Sequence, residues 1–194
     1  MIPLLFIRHG RTEWNIDGRM QGQTDVNLSA VGRDEVSSRS IPEEYKNYSW
    51  IVSPLRRARE TADLLGITNA QSDPRLMEMN WGEWEGSTRT ALRRQHGRSM
   101  AENEARGIDF RPTGGESVRE VCTRLQDWLS EVATRGRPIG AVTHKGVITV
   151  ALALATDWDF VSKKPERLDW TRAHLFSLKE NGELEIQRLN IDLG

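Results

Sequence analysis

Three short apolar runs of this chain each end in side chains suited to handling an anion. Arg8 and His9 follow the first, Ser53 and Arg57 the second, and His144 the third. Two arginines and two histidines with no carboxylate between them define a site for a dense negative charge. The planar guanidinium fork matches phosphate oxygens two at a time, so phosphate is the expected ligand.

These groups meet only if the chain brings the three run ends together. Pro3 to Ile7 is continuously apolar and stops at Arg8-His9-Gly10, as a strand buried on both faces does. Trp50-Ile51-Val52 is a second strand. Ser53 is expected to N-cap the following helix and Pro54 to take its first position. Leu55, Ala58, Ala62 and Leu65 then share one face, and Gly66 stops the helix. Pro138 to Val142 leads through Thr143-His144-Lys145-Gly146 into a buried helix from Val147 to Ala155, repeating the order of strand, polar turn and helix.

The clearest helix lies between them, with Val118, Val121, Cys122, Leu125, Trp128, Leu129 and Val132 at steps of three and four. Ser117 and Glu120 form a capping box and Gly136 ends it. Asn181-Gly182, flanked by Leu175 to Leu178 and Leu184 to Leu189, predicts a hairpin and an antiparallel sheet edge. The alternation predicts an α/β fold, a three-layer sandwich of a mostly parallel sheet with helices on both faces. Ligands bind such sheets where strand C-terminal ends meet helix N-termini. From Leu76 to Gly115 the pattern weakens, and residues 76–115 are expected to form a small, partly helical insertion over the sheet edge and active site. Arg89 to Arg98 read as a solvated helix face, Trp81 and Trp84 as either pocket lining or anchors, and His96 and His174 as structural or exposed.

The chain has 194 residues and a formal net charge of -1, and 37% of its residues are hydrophobic. Such a length buries roughly 70% of the unfolded surface, enough for one domain spanning 1–194 but cramped for two. Near-neutral charge removes the attraction on which non-specific nucleic-acid and lipid binding depends, so neither is an expected partner. A lone cysteine, Cys122, forms no internal disulfide and points to a reducing, cytoplasmic setting. The run from Ile2 to Ile7 has no basic leader, and Val147 to Ala155 is about half of a membrane span. No metal-ligand spacing of histidines and cysteines is present.

Phe6-Ile7-Arg8-His9-Gly10-Arg11-Thr12-Glu13-Trp14-Asn15 resembles the signature of the histidine phosphatase superfamily, which includes the cofactor-dependent phosphoglycerate mutases. The likeness continues through Gln21-Gly22 with Asp25 and Leu28, then Ser53-Pro54-Leu55-Arg56-Arg57-Ala58 with Thr61-Ala62. It extends to Leu76, Glu78, Gly82 and Trp84-Glu85-Gly86, and to Gly115-Glu116-Ser117 and Thr143-His144.

The resemblance implies that His9 is the nucleophile and that Arg8, Arg57 and His144 hold the phosphoryl oxygens. It implies Glu78 as proton donor to the leaving oxygen and Asn15 as a further phosphate contact. Phosphoryl transfer spreads charge over equatorial oxygens, so fixed cations supply the catalysis without a metal or other cofactor. Arg8 and Arg57 disfavour a charged His9, and Glu78 needs burial or a bound phosphate to stay protonated at neutral pH. The implied activity is a metal-independent phosphomonoesterase acting on a small phosphorylated metabolite through a phosphohistidine that water hydrolyses. The alternatives are a phosphoglycerate mutase-type isomerase and a non-catalytic phosphate-binding protein. Chain length and the Leu76 to Gly86 segment resemble the phosphatase branch, including its alpha-ribazole phosphatase type. No oligomeric state is implied. One departure stands out: Lys145 follows the second histidine where family members commonly carry glycine, and it is expected either to reach a second anionic group or to face water.

Overall fold

Leu4, Leu5, Phe6 and Ile7 are all buried, which requires cover above and below the strand that carries them. The computed structural model describes residues 1–194. Its elements run β1 (Ile2–Arg8), α1 (Glu13–Ile16), α2 (Ala30–Ser37), β2 (Ser49–Val52), α3 (Arg56–Leu64), β3 (Gln71–Ser72), α4 (Arg89–Glu104), α5 (Val118–Arg135), β4 (Ile139–Thr143), α6 (Lys145–Thr156), β5 (Ala173–Leu178) and β6 (Leu184–Ile191). One sheet takes the order β3-β2-β4-β1-β5-β6. The pairs β1–β4, β2–β4 and β2–β3 are parallel, whereas β1–β5 and β5–β6 are antiparallel. The mostly parallel sheet with an antiparallel edge is therefore as the sequence predicts.

Side-chain alternation divides the core in two. Leu4 and Phe6 pack with Leu125, Trp128 and Leu129 of α5 and with Ile148 and Leu152 of α6. Leu5 and Ile7 pack with Val36 of α2 and with Ala58 and Ala62 of α3. Two helical layers thus enclose the central strands. In α5 the predicted ends hold: Ser117 and Glu120 make the reciprocal capping box, and Gly136 leaves the helix in the left-handed region at φ 64°.

One helix start differs from expectation. The helix after β2 begins at Arg56 with Leu55 at its N-cap; Leu55 has no capping side chain, and Asp25 Oδ1 accepts from the Arg56 N–H at 2.8 Å. Ser53 Oγ instead engages Nε2 of His144 at 2.7 Å. A buried imidazole is the costlier group to leave unpaired, and it takes the hydroxyl from the helix end.

The segment that lacked an apolar stripe contains α4, a 16-residue helix broken at Gly97, where φ is 49°. Only Leu92 and Met100 of this helix are buried, and they pack on Trp84 in a small cluster of their own. Two apolar contacts across so long a helix leave no readable period. Arg89 and Arg93 pair with Glu104, and Arg98 with Glu102, in keeping with a solvated face. No helix of the chain is long and apolar enough to cross a membrane.

Candidate active site

Parallel pairing fixes the relative heights of the three strand ends. Arg8 lies opposite Thr143, and Val52 lies opposite Val142. The ladder runs one residue further, because His9 N–H donates to the Thr143 carbonyl at 2.9 Å and Ser53 N–H to the Val142 carbonyl at 3.0 Å. His9, Ser53 and His144 therefore share one rim of the sheet, with the His9 and His144 rings 5.0 Å apart between centroids. A cavity of about 830 Å³ opens at this rim, and Arg8, His9, Asn15, Gln21, Glu78 and Lys145 are among its lining. Arg57 and His144 are both 0% exposed and are not among that lining. Trp81 and Trp84 line the cavity, and Trp84 also anchors α4, so both expected roles are filled.

The proton of His9 is placed by its neighbour. Its Nδ1 lies 2.6 Å from the Gly10 carbonyl oxygen. A carbonyl only accepts, so Nδ1 carries the hydrogen and Nε2 keeps its lone pair. Burial, then the charges of Arg8 and Arg57, hold the His9 pKa well below its ordinary value. The ring is therefore neutral at neutral pH, with its lone pair on Nε2. His144 is likewise held well below its ordinary value by burial and then by Arg57, and its Nδ1 has no protein partner.

Arg57 is a buried cation without a carboxylate. Its two terminal nitrogens donate to the carbonyls of Thr24 at 3.0 Å and Gly22 at 2.6 Å, and Nε has no partner. Five N–H donors less two leaves three for an anion. Burial lowers its pKa to about 10, which still leaves it charged at neutral pH. The Nε of Arg8 is buried and unpartnered too.

Glu78 is 6% exposed. Its carboxylate accepts from the backbone N–H of Met79 at 2.9 Å and of Gly146 at 3.0 Å. Burial raises its pKa, against the pull of those two hydrogen bonds and of Arg57 and Arg124. Gly146 belongs here for a steric reason: a Cβ at this position would overlap Glu78 Oε1. Gly146→Ala is thus expected to displace the carboxyl and cost a little in stability but much in activity. Chemical denaturation should show a shift of about 1 kcal/mol or less, beside a large selective loss on esters with poor leaving groups.

Asn15 is less free than the resemblance suggests. Its Oδ1 accepts from Thr12 N–H at 3.2 Å and completes a capping box for α1, while Nδ2 donates to Gln21 Oε1 at 3.1 Å. One Nδ2 hydrogen remains. Gln21 emerges as a further cavity group: Thr12 Oγ1 also donates to its Oε1, and its Nε2 is buried without a partner. Thr61 acts as a strut, accepting from Gly10 N–H at 2.9 Å and donating to the Arg57 carbonyl at 2.6 Å. Gln21 and Thr61 both stand among the residues that carry the family resemblance, but nothing local in the sequence shows their hydrogen-bond partners. His174 is structural, fully buried, with its pKa lowered to about 4 mainly by burial, and His96 stacks on Trp84. Nowhere do three or more His, Cys, Asp or Glu side chains gather in a group that could hold a metal ion.

Residues 4–192 match the profile of the histidine phosphatase superfamily (branch 1). The chain belongs to that superfamily. This histidine phosphatase is 35% identical over 167 residues to glucosyl-3-phosphoglycerate phosphatase of Mycolicibacterium vanbaalenii, spanning 77% of its own length and 72% of the relative's. It is 40% identical over 161 residues to the uncharacterized phosphatase PhoE of Bacillus subtilis, spanning 78% and 76% of the two chains. Phosphoglycerate mutases also stand among its relatives. The fold matches a mycobacterial glucosyl-3-phosphoglycerate phosphatase solved with VO3, at a TM-score of 0.83 and 24% identity over 99% and 100% of the two chains.

Proposed function

We propose that this enzyme is a metal-independent phosphomonoesterase that passes the phosphoryl group of a small metabolite through Nε2 of His9 to water. The observation that carries the reading is the hydrogen bond from His9 Nδ1 to the Gly10 carbonyl, which leaves the nucleophilic lone pair on Nε2. Nε2 attacks phosphorus and the ester P–O bond breaks. Glu78 gives its proton to the departing alkoxide, then as carboxylate takes one from the water that attacks the phosphohistidine. The P–N bond breaks, orthophosphate leaves, and both side chains return to their starting states.

Arg8, Arg57, His144 and Asn15 hold the equatorial oxygens in this scheme. Arg57 and His144 are fully buried, where low dielectric strengthens their electrostatic contacts. Residues 76–115 serve as a cap within the one domain, since Trp81, Arg89 and Phe110 line the cavity. The phosphatase activity named for the Mycolicibacterium relative supports a phosphatase over a mutase. A buried free thiol at Cys122 supports a reducing, cytoplasmic compartment.

Incubation with p-nitrophenyl phosphate in the presence of a chelator tests the reading. Steady release of orthophosphate is expected. Phosphate retained on His9 and passed only to an added alcohol marks a mutase, and binding without either step marks a non-catalytic pocket.

The pH dependence follows from the two shifted groups. His9 has a lowered pKa, so it stays neutral below its ordinary range, and the acid limb of kcat/KM is expected to fall below the usual imidazole value of about 6.5. Glu78 has a raised pKa and donates only below it, so the alkaline limb for an alkyl phosphate reports its ionisation. That limb should vanish with p-nitrophenyl phosphate, whose leaving group needs no proton. An alkaline limb common to both esters removes Glu78 from the assignment.

A further inference from the structure

Glu85 is not among the residues that line the cavity, yet its carboxylate gathers four donors. Oε1 accepts from the backbone N–H of Gln23 at 2.8 Å and of Trp81 at 3.2 Å. Oε2 accepts from the backbone N–H of Thr24 at 2.8 Å and from the Thr24 hydroxyl. The fit is close, because a Cβ on Gly22 would overlap Oε1. Gln23 adds a second tie to the same segment, donating from Nε2 to the Glu78 carbonyl at 3.2 Å. Burial alone would raise the Glu85 pKa, but the Thr24 hydroxyl and the three N–H groups outweigh it and hold the pKa below its ordinary value, so the group is charged at neutral pH.

What this carboxylate holds is the turn that holds Arg57. The Gly22 and Thr24 carbonyls each take one terminal guanidinium nitrogen, and with Nε unpartnered no other hydrogen bond orients the fork. We infer that Glu85 is a positioning residue for Arg57: by clamping Gly22-Gln23-Thr24 it sets the two carbonyls that aim the remaining guanidinium donors at the phosphoryl oxygens. This deepens the phosphomonoesterase reading and rests on it for the place of the phosphoryl group beside Arg57. A guanidinium presents its donors in one rigid plane, so a tilt of the fork spoils every contact it makes with an oxyanion at once. The Trp81 N–H on the same carboxylate brings the cap into the clamp, because Trp81 lines the cavity. The charge of Glu85 acts in the same sense: burial lowers the Arg57 pKa, and Glu78, Asp25 and Glu85 oppose it.

Glu85→Gln tests the clamp at nearly constant shape. The amide has one accepting oxygen in place of two, so one pair of donors is left facing an NH2 group. The calorimetric Kd of orthophosphate should rise about 10-fold, the lower end for a hydrogen bond to a charged group, and kcat/KM for p-nitrophenyl phosphate should fall by at least that factor. Beside Arg57→Ala, the same substitution should move either constant by less than about 2-fold, because the clamp then has nothing to aim. Beside Lys145→Ala, which removes a cavity cation that has no hydrogen bond to the turn, the full loss should persist. Arg57→Lys repeats the cycle without the void that alanine leaves. Thr24→Val, at an exposed position, removes one of the four donors and should give a smaller loss with the same dependence on Arg57. An orthophosphate affinity untouched by Glu85→Gln, or a loss that is equal with and without Arg57, overturns the clamp and leaves the phosphatase reading standing. An Arg57-dependent loss of orthophosphate affinity in a protein that turns over no ester sustains the clamp and overturns the phosphatase reading. Arg57→Ala without effect on orthophosphate overturns the clamp and removes Arg57 from the phosphate site.

Discussion

His9→Ala is expected to lower kcat by roughly 10⁵- to 10⁶-fold, the scale seen when an activated nucleophile is removed. The size of the effect follows from what remains. Arg8 and Arg57 still attract the phosphoryl group, but a guanidinium offers phosphorus no lone pair. Glu78 is held on two backbone N–H groups, and the His144 Nε2 is taken up by Ser53. Rapid quenching of the intact enzyme with a ³²P-labelled ester should trap protein-bound phosphate that is stable to base and labile to acid, as a phosphorus–nitrogen bond is. The alanine variant should trap none. Equal labelling of both proteins would place the covalent step on another residue.

Glu78→Gln carries the second large effect, a loss of roughly 10²- to 10⁴-fold in the first-turnover rate on an alkyl phosphate. The amide keeps the shape of the side chain and loses only the transferable proton. An alkoxide leaves slowly without that proton, whereas p-nitrophenolate leaves readily, so the first turnover on p-nitrophenyl phosphate should change far less. Single-turnover measurements separate this step from the later attack of water, for which Glu78 is proposed as the base. Equal losses on both esters would mean that the glutamate shapes the cavity and does not give up a proton.

Both effects trace to one physical cause. His9 is 4% exposed and Glu78 6%, and burial is the largest influence on each. Desolvation disfavours the charged form of any group, so it strips a proton from an imidazole and retains one on a carboxyl. Burial in a single dry cavity thus shifts the imidazole toward its neutral form and the carboxyl toward its protonated form together. The uncompensated guanidinium of Arg57 sharpens the first shift and opposes the second. The balance at Glu78 is accordingly finer, and Gly146 matters because it allows the carboxyl to lie deep enough for burial to win.

Much of this protein is written in short stretches of chain. The apolar runs ending at Arg8, Val52 and Thr143, the capping box at Ser117 and Glu120 and the turn at Asn181-Gly182 all depend on neighbours a few residues away. Backbone conformation responds to such local patterns, which is why the sheet, its antiparallel edge and the candidate rim were legible without coordinates. The charge state and hydrogen-bonding partner of each site residue were not. Ser53 reads locally as a helix cap, yet it faces a histidine 91 positions away. Glu78 rests on an N–H 68 positions away, and Arg57 on carbonyls of the loop after α1. Lys145 meets Trp170 and, across it, Lys164 only once the chain after α6 has folded back. Those features depend on which groups exclude water from which others, and water exclusion is a property of packed surfaces that no window of adjacent residues contains.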